Sequence, residues 1–178
     1  MLITFDSSCP LHIGDFLADL NNVASLEFAN NIVRNKRNRG LLLQTRNVLV
    51  RNNYFSNVIH GAILIVCEVY NFCESISAKN HLIERNKFYR CNESTLADVE
   101  ITAMIDEQHT PDPPVMENIS IRCNLMAESG NCSIYVNSGR NIMIEDNIIY
   151  KPGRSPLTKS PIALMQCSGI SLLKSAIC

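Results

Sequence analysis

The chain has 178 residues, 46% of them hydrophobic, and a formal net charge of −1. That length suits one domain, and so small a net charge leaves no electrostatic footprint for nucleic acid or an acidic membrane surface. No apolar run approaches the roughly 20 residues that a spanning helix needs, and the opening MLITFDSSCPLHIGDF lacks the basic and long apolar regions of a signal peptide.

Residues 1–25 are non-repetitive and read as a cap or linker, with a short helix expected around Asp15–Asn21. Residues 26–178 read as repeating coils. Asn31, Asn53, Asn86, Asn124 and Asn147 each follow a short alternating run, at steps of 22, 33, 38 and 23 residues. That is close to one unit of 22 with two insertions, and repeats of this period signal stacked coils. Three residues before each asparagine stand Phe28, Val50, Ile83, Ile121 and Ile144; two after it stand Val33, Phe55, Phe88, Met126 and Ile149. Five before come Leu26, Val48, His81, Ile119 and Ile142, and between the apolar columns lie Arg51, Glu84, Arg122 and Glu145, with Ala29 the exception. Period-2 alternation predicts strands with one face buried and one wet. Asparagine tolerates the left-handed backbone and suits a tight bend, and amides stacked on successive coils could bond one another along the axis. Hairpin turns in an antiparallel sandwich are the alternative, but they do not need a fixed apolar residue on both sides of each asparagine.

A second strand family interleaves with the first: GLLLQT (40–45), GAILIV (61–66), VEITAMI (99–105), SIYV (133–136) and IALMQ (162–166). A short third segment follows each asparagine corner. The layout predicts an all-β, right-handed parallel β-helix, a single-stranded solenoid of about six coils, each rising about 4.8 Å. The two insertions, CEVYNFCESISAK (67–79) and the proline-rich DEQHTPDPPVME (106–117), both follow strands of the second family. Both should therefore emerge on one side, where loops on a rigid scaffold carry function.

The eight cysteines show no Cys-x-x-Cys pair, so neither a zinc site nor any other metal or cofactor is expected; Cys91 and Cys123 read as small buried thiols. His12, His60, His81 and His109 have no nucleophile signature beside them, and His60 and His81 read as structural. Sequons at Asn92, Asn118 and Asn131 read as chance in an asparagine-rich chain.

The stretch from RNRGLLLQT through VLVRNNYFSNVIHGAILIVCEVYNFCES resembles the core of the α-1,3-galactosidases of glycoside hydrolase family 110. The matching features are Arg39-Gly40-Leu41-Leu42, the Asn52-Asn53 corner, Ala62-Ile63-Leu64-Ile65 and the Glu74-Ser75 pair. Cys67-Glu68 stands where the family has Gly-Asp, and Phe72 where it has tryptophan. Similarity continues more weakly through NHLIERNKF and ITAMIDE, covering residues 15–150. The resemblance implies a β-helix enzyme that removes terminal α-1,3-linked galactose with inversion and without a metal, and an oligosaccharide or glycan partner. It also implies a periplasmic or secreted setting, and a chain of several hundred residues of which this would be a fragment or a divergent counterpart.

Glycoside hydrolysis needs two carboxyl groups across the bond, about 6.5–9.5 Å apart in inverting enzymes and about 5–5.5 Å in retaining ones. Glu68 leaves one strand of the second family, and Asp106 or Glu107 leaves the corresponding strand one coil on. One coil rise plus a lateral offset gives about 6–9 Å, within the inverting window. Glu68, Asp106 and Glu107 are therefore the catalytic candidates. Tyr70 or Phe72 would serve as an apolar platform for the sugar ring, and Glu74 would orient a hydroxyl.

Counted as alternates, the outward positions of the second family include Leu42, Ala62, Leu64, Ala163 and Met165. Apolar residues on both faces predict a covered sheet, by a further domain or a second copy. Two other readings compete with the hydrolase. A polysaccharide lyase or epimerase would want a calcium-binding acid cluster and exposed Arg or Lys, both weak here. A non-catalytic β-helix, serving carbohydrate binding or assembly, is favoured by the lost Gly-Asp step and the absence of tryptophan.

Overall fold

A computed structural model describes residues 10–13, 15–69, 75, 77–106, 109–154 and 160–178. The strands run coil by coil in chain order. The first coil holds β1 (Leu26–Ala29), β2 (Ile32–Lys36) and β3 (Leu41–Leu43); the second, β4 (Arg46–Arg51), β5 (Tyr54–Val58) and β6 (Ile63–Glu68). The third holds β7 (Lys79–Glu84), β8 (Lys87–Tyr89) and β9 (Ala97–Met104); the fourth, β10 (Met116–Arg122), β11 (Leu125–Ala127) and β12 (Cys132–Asn137). The fifth holds β13 (Gly139–Glu145), β14 (Ile148–Tyr150) and β15 (Ile162–Met165), and the sixth β16 (Ser168–Leu173) and β17 (Ala176–Ile177).

Every strand pairs in parallel with its counterpart one coil away, giving three sheets: A from the first strand of each coil, B from the second and C from the third. This is the parallel β-helix that the repeat implies, and parallel crossovers are right-handed as a rule. The two sequence families are sheets A and C, and the short segment after each asparagine is sheet B.

The apolar columns face inward in register. In sheet A, Phe28, Val50, Ile83, Ile121 and Ile144 align, and in sheet B, Val33, Phe55, Phe88, Met126 and Ile149. The rings of Phe55 and Phe88 stack with centroids 5.2 Å apart. Burying each such side chain contributes about 1.5–3 kcal/mol. His81 sits in the core at 2% exposure, its Nε2 donating to Thr45 O at 2.9 Å, which bears out its structural reading.

The asparagines form the expected internal ladder. Asn53 Nδ2 donates to Asn86 Oδ1, Asn86 to Asn124 and Asn124 to Asn147, at 3.0, 3.1 and 3.0 Å. Each amide oxygen also accepts a backbone N–H from the coil before, as in Asn53 N to Asn86 Oδ1 at 3.0 Å. The left-handed residue, however, is the one preceding each ladder asparagine: Asn30, Asn52, Arg85, Cys123 and Asp146, with φ of 52–61°. The ladder residue stays on the ordinary side of the map and uses its amide to close the corner. Cys123 is consequently exposed at a corner rather than buried, whereas Cys91 is buried as expected.

A second amide ladder, unforeseen in the sequence, joins Asn47, Asn80, Asn118 and Asn141 at 2.9, 3.1 and 3.2 Å, all with positive φ. It occupies the start of sheet A and accounts for Asn118; Asn92 and Asn131, the other two sequon asparagines, are buried. The motif glycine Gly40 has a packing reason. A Cβ there would stand 2.4 Å from Ala62 O on the next coil, so only glycine permits the approach.

The helix expected around Asp15–Asn21 is only a 3-10 turn at Leu20–Asn22, capped by Asp19 Oδ1 accepting from Asn21 N at 2.9 Å. Phe16 and Leu17 remain about half exposed, and without an apolar face to bury, a longer helix gains little.

Candidate active site

Both insertions leave the same corner, between sheets C and A. Elsewhere this corner is short, residues 44–45 between β3 and β4 and residue 138 between β12 and β13; between β6 and β7 it takes residues 69–78, and between β9 and β10 residues 105–115. The expectation of a common side holds.

Glu68 is the last residue of β6. Ile63, Ile65 and Cys67 point inward, so Leu64, Val66 and Glu68 line the outer face. Glu68 pairs in register with Met104 on the next coil, and Asp106 follows Met104 by two residues. Asp106 stands on the next coil from Glu68, in the bend that follows β9, where the Ile105 and Asp106 N–H groups turn back to His109 O at 2.8 and 3.5 Å. Asp106 is held by His109. The His109 N–H donates to Oδ1 at 2.9 Å, and Nδ1 lies 2.8 Å from each carboxylate oxygen. Asp106 and His109 are three residues apart in one loop, and that spacing was the available signal for the pair, which sequence reasoning passed over. The remaining candidates, Tyr70, Phe72, Glu74 and Glu107, lie outside the described residues.

Cys67, where the resembled family has glycine, donates its thiol to Ser75 O at 2.9 Å and ties the end of the first insertion to β6. Burial, and secondarily the charge of Glu68, push this thiol up to about 12. It therefore stays protonated, a packing group rather than a nucleophile.

A cavity of about 290 Å³ opens on the same C-to-A corner, lined by Asp19, Gln44, Thr45, Arg46, Ser75 and Ser77 among others. The Arg46 guanidinium donates to the Ser77 hydroxyl. Amide, hydroxyl, carboxylate and guanidinium groups converging on a concave surface suit a polyhydroxylated ligand.

The outer face of sheet C differs from its sequence reading in two ways. Ala62 precedes β6 and is fully buried, because the Cβ alternation starts only with the strand at Ile63. The outward column runs Leu42, Leu64, Glu100, Tyr135 and Ala163, so an acid and a phenol stand in its centre. Burial pushes the Glu100 carboxyl up, opposed by the Leu96 and Ala97 N–H groups and by Arg39. Burial, then the Glu100 charge, raises the Tyr135 phenol. Glu100 is one coil and four residues from Glu68, about 14 Å by strand spacing. That is too far to share a glycosidic bond with it.

The fold is a parallel β-helix, with Glu68 at the end of β6 and Asp106 two residues beyond the end of β9, on consecutive coils. The chain is similar to curated α-1,3-galactosidases over most of its length, as its motifs indicated. It is 28% identical to α-1,3-galactosidase A of Streptomyces avermitilis over 128 residues, 70% of this chain and 20% of that protein. It is 26% identical to α-1,3-galactosidase B of Akkermansia muciniphila over 178 residues, 96% of this chain and 22% of that protein. A segment of 62 residues is 39% identical to α-1,3-galactosidase B of Parabacteroides distasonis, 34% of this chain and 10% of that protein. The chain thus spans about a fifth of the length of the first two relatives, as a fragment or a divergent counterpart would. No protein-family profile matches it.

Proposed function

We propose that this chain contributes the catalytic corner of a glycoside hydrolase that removes terminal α-1,3-linked galactose from glycans with inversion. The observation that carries the reading is the placement of Glu68 and Asp106 on consecutive coils at the end of one sheet, in a chain similar to α-1,3-galactosidases over 70–96% of its length. Asp106, whose oxygens accept from His109, acts as the base that takes a proton from water as it attacks the anomeric carbon. Glu68 is the acid that protonates the departing glycosidic oxygen, and β-galactose is released. Glu107 is the alternative second carboxylate. Tyr70 or Phe72 supports the apolar face of the sugar ring, and Glu74 orients a hydroxyl. The mechanism calls for no metal or cofactor.

The test is galactose release from Gal-α1,3-Gal by the wild type beside Glu68→Gln and Asp106→Asn. A loss of about 10²–10⁴-fold in each variant is expected for a missing acid or base, with melting temperatures unchanged. A Glu68→Gln variant that keeps the wild-type rate would remove Glu68 from the mechanism.

A second reading has its own observation. Leu42 and Met165 are 43% and 54% exposed on the outer face of sheet C, as on a surface that another domain or a second copy covers. A carbohydrate-binding or assembly module of this kind would bind the disaccharide, or associate, without releasing galactose.

A further inference from the structure

The corner between sheets B and C, away from the candidate active site, carries a groove of about 430 Å³ among whose lining residues are Asn35, Lys36, Arg37, Arg90, Glu93 and Arg154. Its size lies in the range of small-ligand sites, about 300–1,000 Å³. Four cations, Lys36, Arg37, Arg90 and Arg154, meet here with one lining acid, Glu93, in a chain whose formal net charge is −1.

The groove is built by the coil repeat. Asn35, Asn57, Arg90 and Glu128 all take the left-handed backbone that turns the chain out of sheet B. Asn57 Nδ2 donates to Asn35 Oδ1 at 3.2 Å, and Arg90 Nε to Glu128 Oε2 at 2.7 Å. Arg154 crosses from a distant segment, donating Nε to Glu128 O at 2.6 Å and a second N–H to Glu93. Glu128 and Glu93 thus fix two guanidinium groups in place while each arginine retains further donors. Among the described residues no acid pairs with Lys36 or Arg37. Fixed arginines beside unpaired cations are the arrangement that recognises sulfate or carboxylate.

We propose that this groove binds an anionic glycan, a saccharide bearing sulfate or carboxylate groups, through Lys36, Arg37, Arg90 and Arg154. The anion chemistry stands on the groove alone; the saccharide part rests on the hydrolase reading. A single oxyanion would leave most of the cavity empty, and the exposed side chain of Ile59 together with the amides of Asn35 and Asn57 offers a sugar both an apolar surface and hydrogen-bonding groups.

Calorimetric titration tests it, with a sulfated galactose disaccharide, its unsulfated counterpart, sodium sulfate and a single-stranded oligonucleotide as probes. The sulfated disaccharide should bind at least tenfold more tightly than the neutral sugar and than sodium sulfate, and more weakly as salt is raised. The double variant Lys36→Ala/Arg37→Ala should lose at least tenfold of that affinity with an unchanged melting temperature. Glu68→Gln should bind as the wild type does, which separates this site from the hydrolase reading. Equal binding of sulfated and neutral sugars, or undiminished binding by the double variant, would overturn the proposal. So would sodium sulfate or the oligonucleotide binding as tightly as the sulfated sugar.

Discussion

Asp98 is fully buried in β9. Its Oδ2 accepts from the Ser129 hydroxyl, which lies 2.9 Å from Ser133 Oγ, while Oδ1 is buried without a partner. Desolvation pushes its carboxyl from 3.8 up to about 7, against the opposing effects of Ser129 and Arg154. The folded state therefore holds a proton that the unfolded chain has released. Stability from this group is full below about pH 4 and declines as pH rises toward 7, then levels off. The interval between 3.8 and about 7 corresponds to roughly 4 kcal/mol at most. Wild-type melting temperature should accordingly fall between pH 4 and 8, and Asp98→Asn, neutral throughout, should flatten that decline. A variant whose melting temperature falls as steeply as the wild type's would show that Asp98 is not the titrating group. Nothing in the sequence marked this residue, because Ala97, Asp98 and Val99 are all buried and the alternation that sorts faces fails there. Glu100 faces outward between the inward Val99 and Ile101, a placement that period 2 carries and that a count of the apolar residues on that face omits.

At the scale of the element, the asparagine ladder holds the coils in register. Asn86 is 1% exposed, donates to Val50 O and Asn124 Oδ1, and accepts from both the side chain and the backbone of Asn53. Asn86→Ala would leave the Asn53 N–H without its partner inside a dry corner and remove the amide's bonds to Val50 O and Asn124 Oδ1. Each orphaned group costs about 1–3 kcal/mol, so a fall in melting temperature of roughly 5–15 °C is expected. Asn31, exposed at the first coil, should cost much less when replaced by alanine. Equal losses at the two positions would contradict a ladder whose strength comes from burial. The ladder and the apolar columns were legible because they hold fixed positions in every coil. The left-handed residue was misplaced by one, since Arg85 and Cys123 carry no such signature and are held in it by the closing amide bond of their neighbour.

On the outer face of sheet A, Arg51, Glu84, Arg122 and Glu145 alternate in register. Arg122 reaches Glu84 at 2.9 Å and Glu145 at 4.0 Å. The Glu84 pair is part-buried and the Glu145 pair is at the limit of contact, and surface ion pairs are worth about 1 kcal/mol or less each. Their alternation favours the observed neighbours over a slipped register more than it adds stability.

For the whole molecule, the solenoid turns sequence distance into proximity. Glu68 and Met104 become partners because the repeat brings each coil back over the last, which is why the common corner of the two insertions could be anticipated from strand ends alone. The cationic groove was invisible by the same logic. Its charges come from residues 36–37, 90 and 154, and a near-neutral total concealed their convergence. The central claim is that two carboxylates on consecutive coils hydrolyse an α-galactoside with inversion, and time-resolved proton NMR of Gal-α1,3-Gal cleavage tests it most directly. β-Galactose is expected as the first anomer formed, with the α anomer appearing only through mutarotation. Galactose first released as the α anomer would contradict the inverting pair, and a folded chain that releases none would contradict the hydrolase itself.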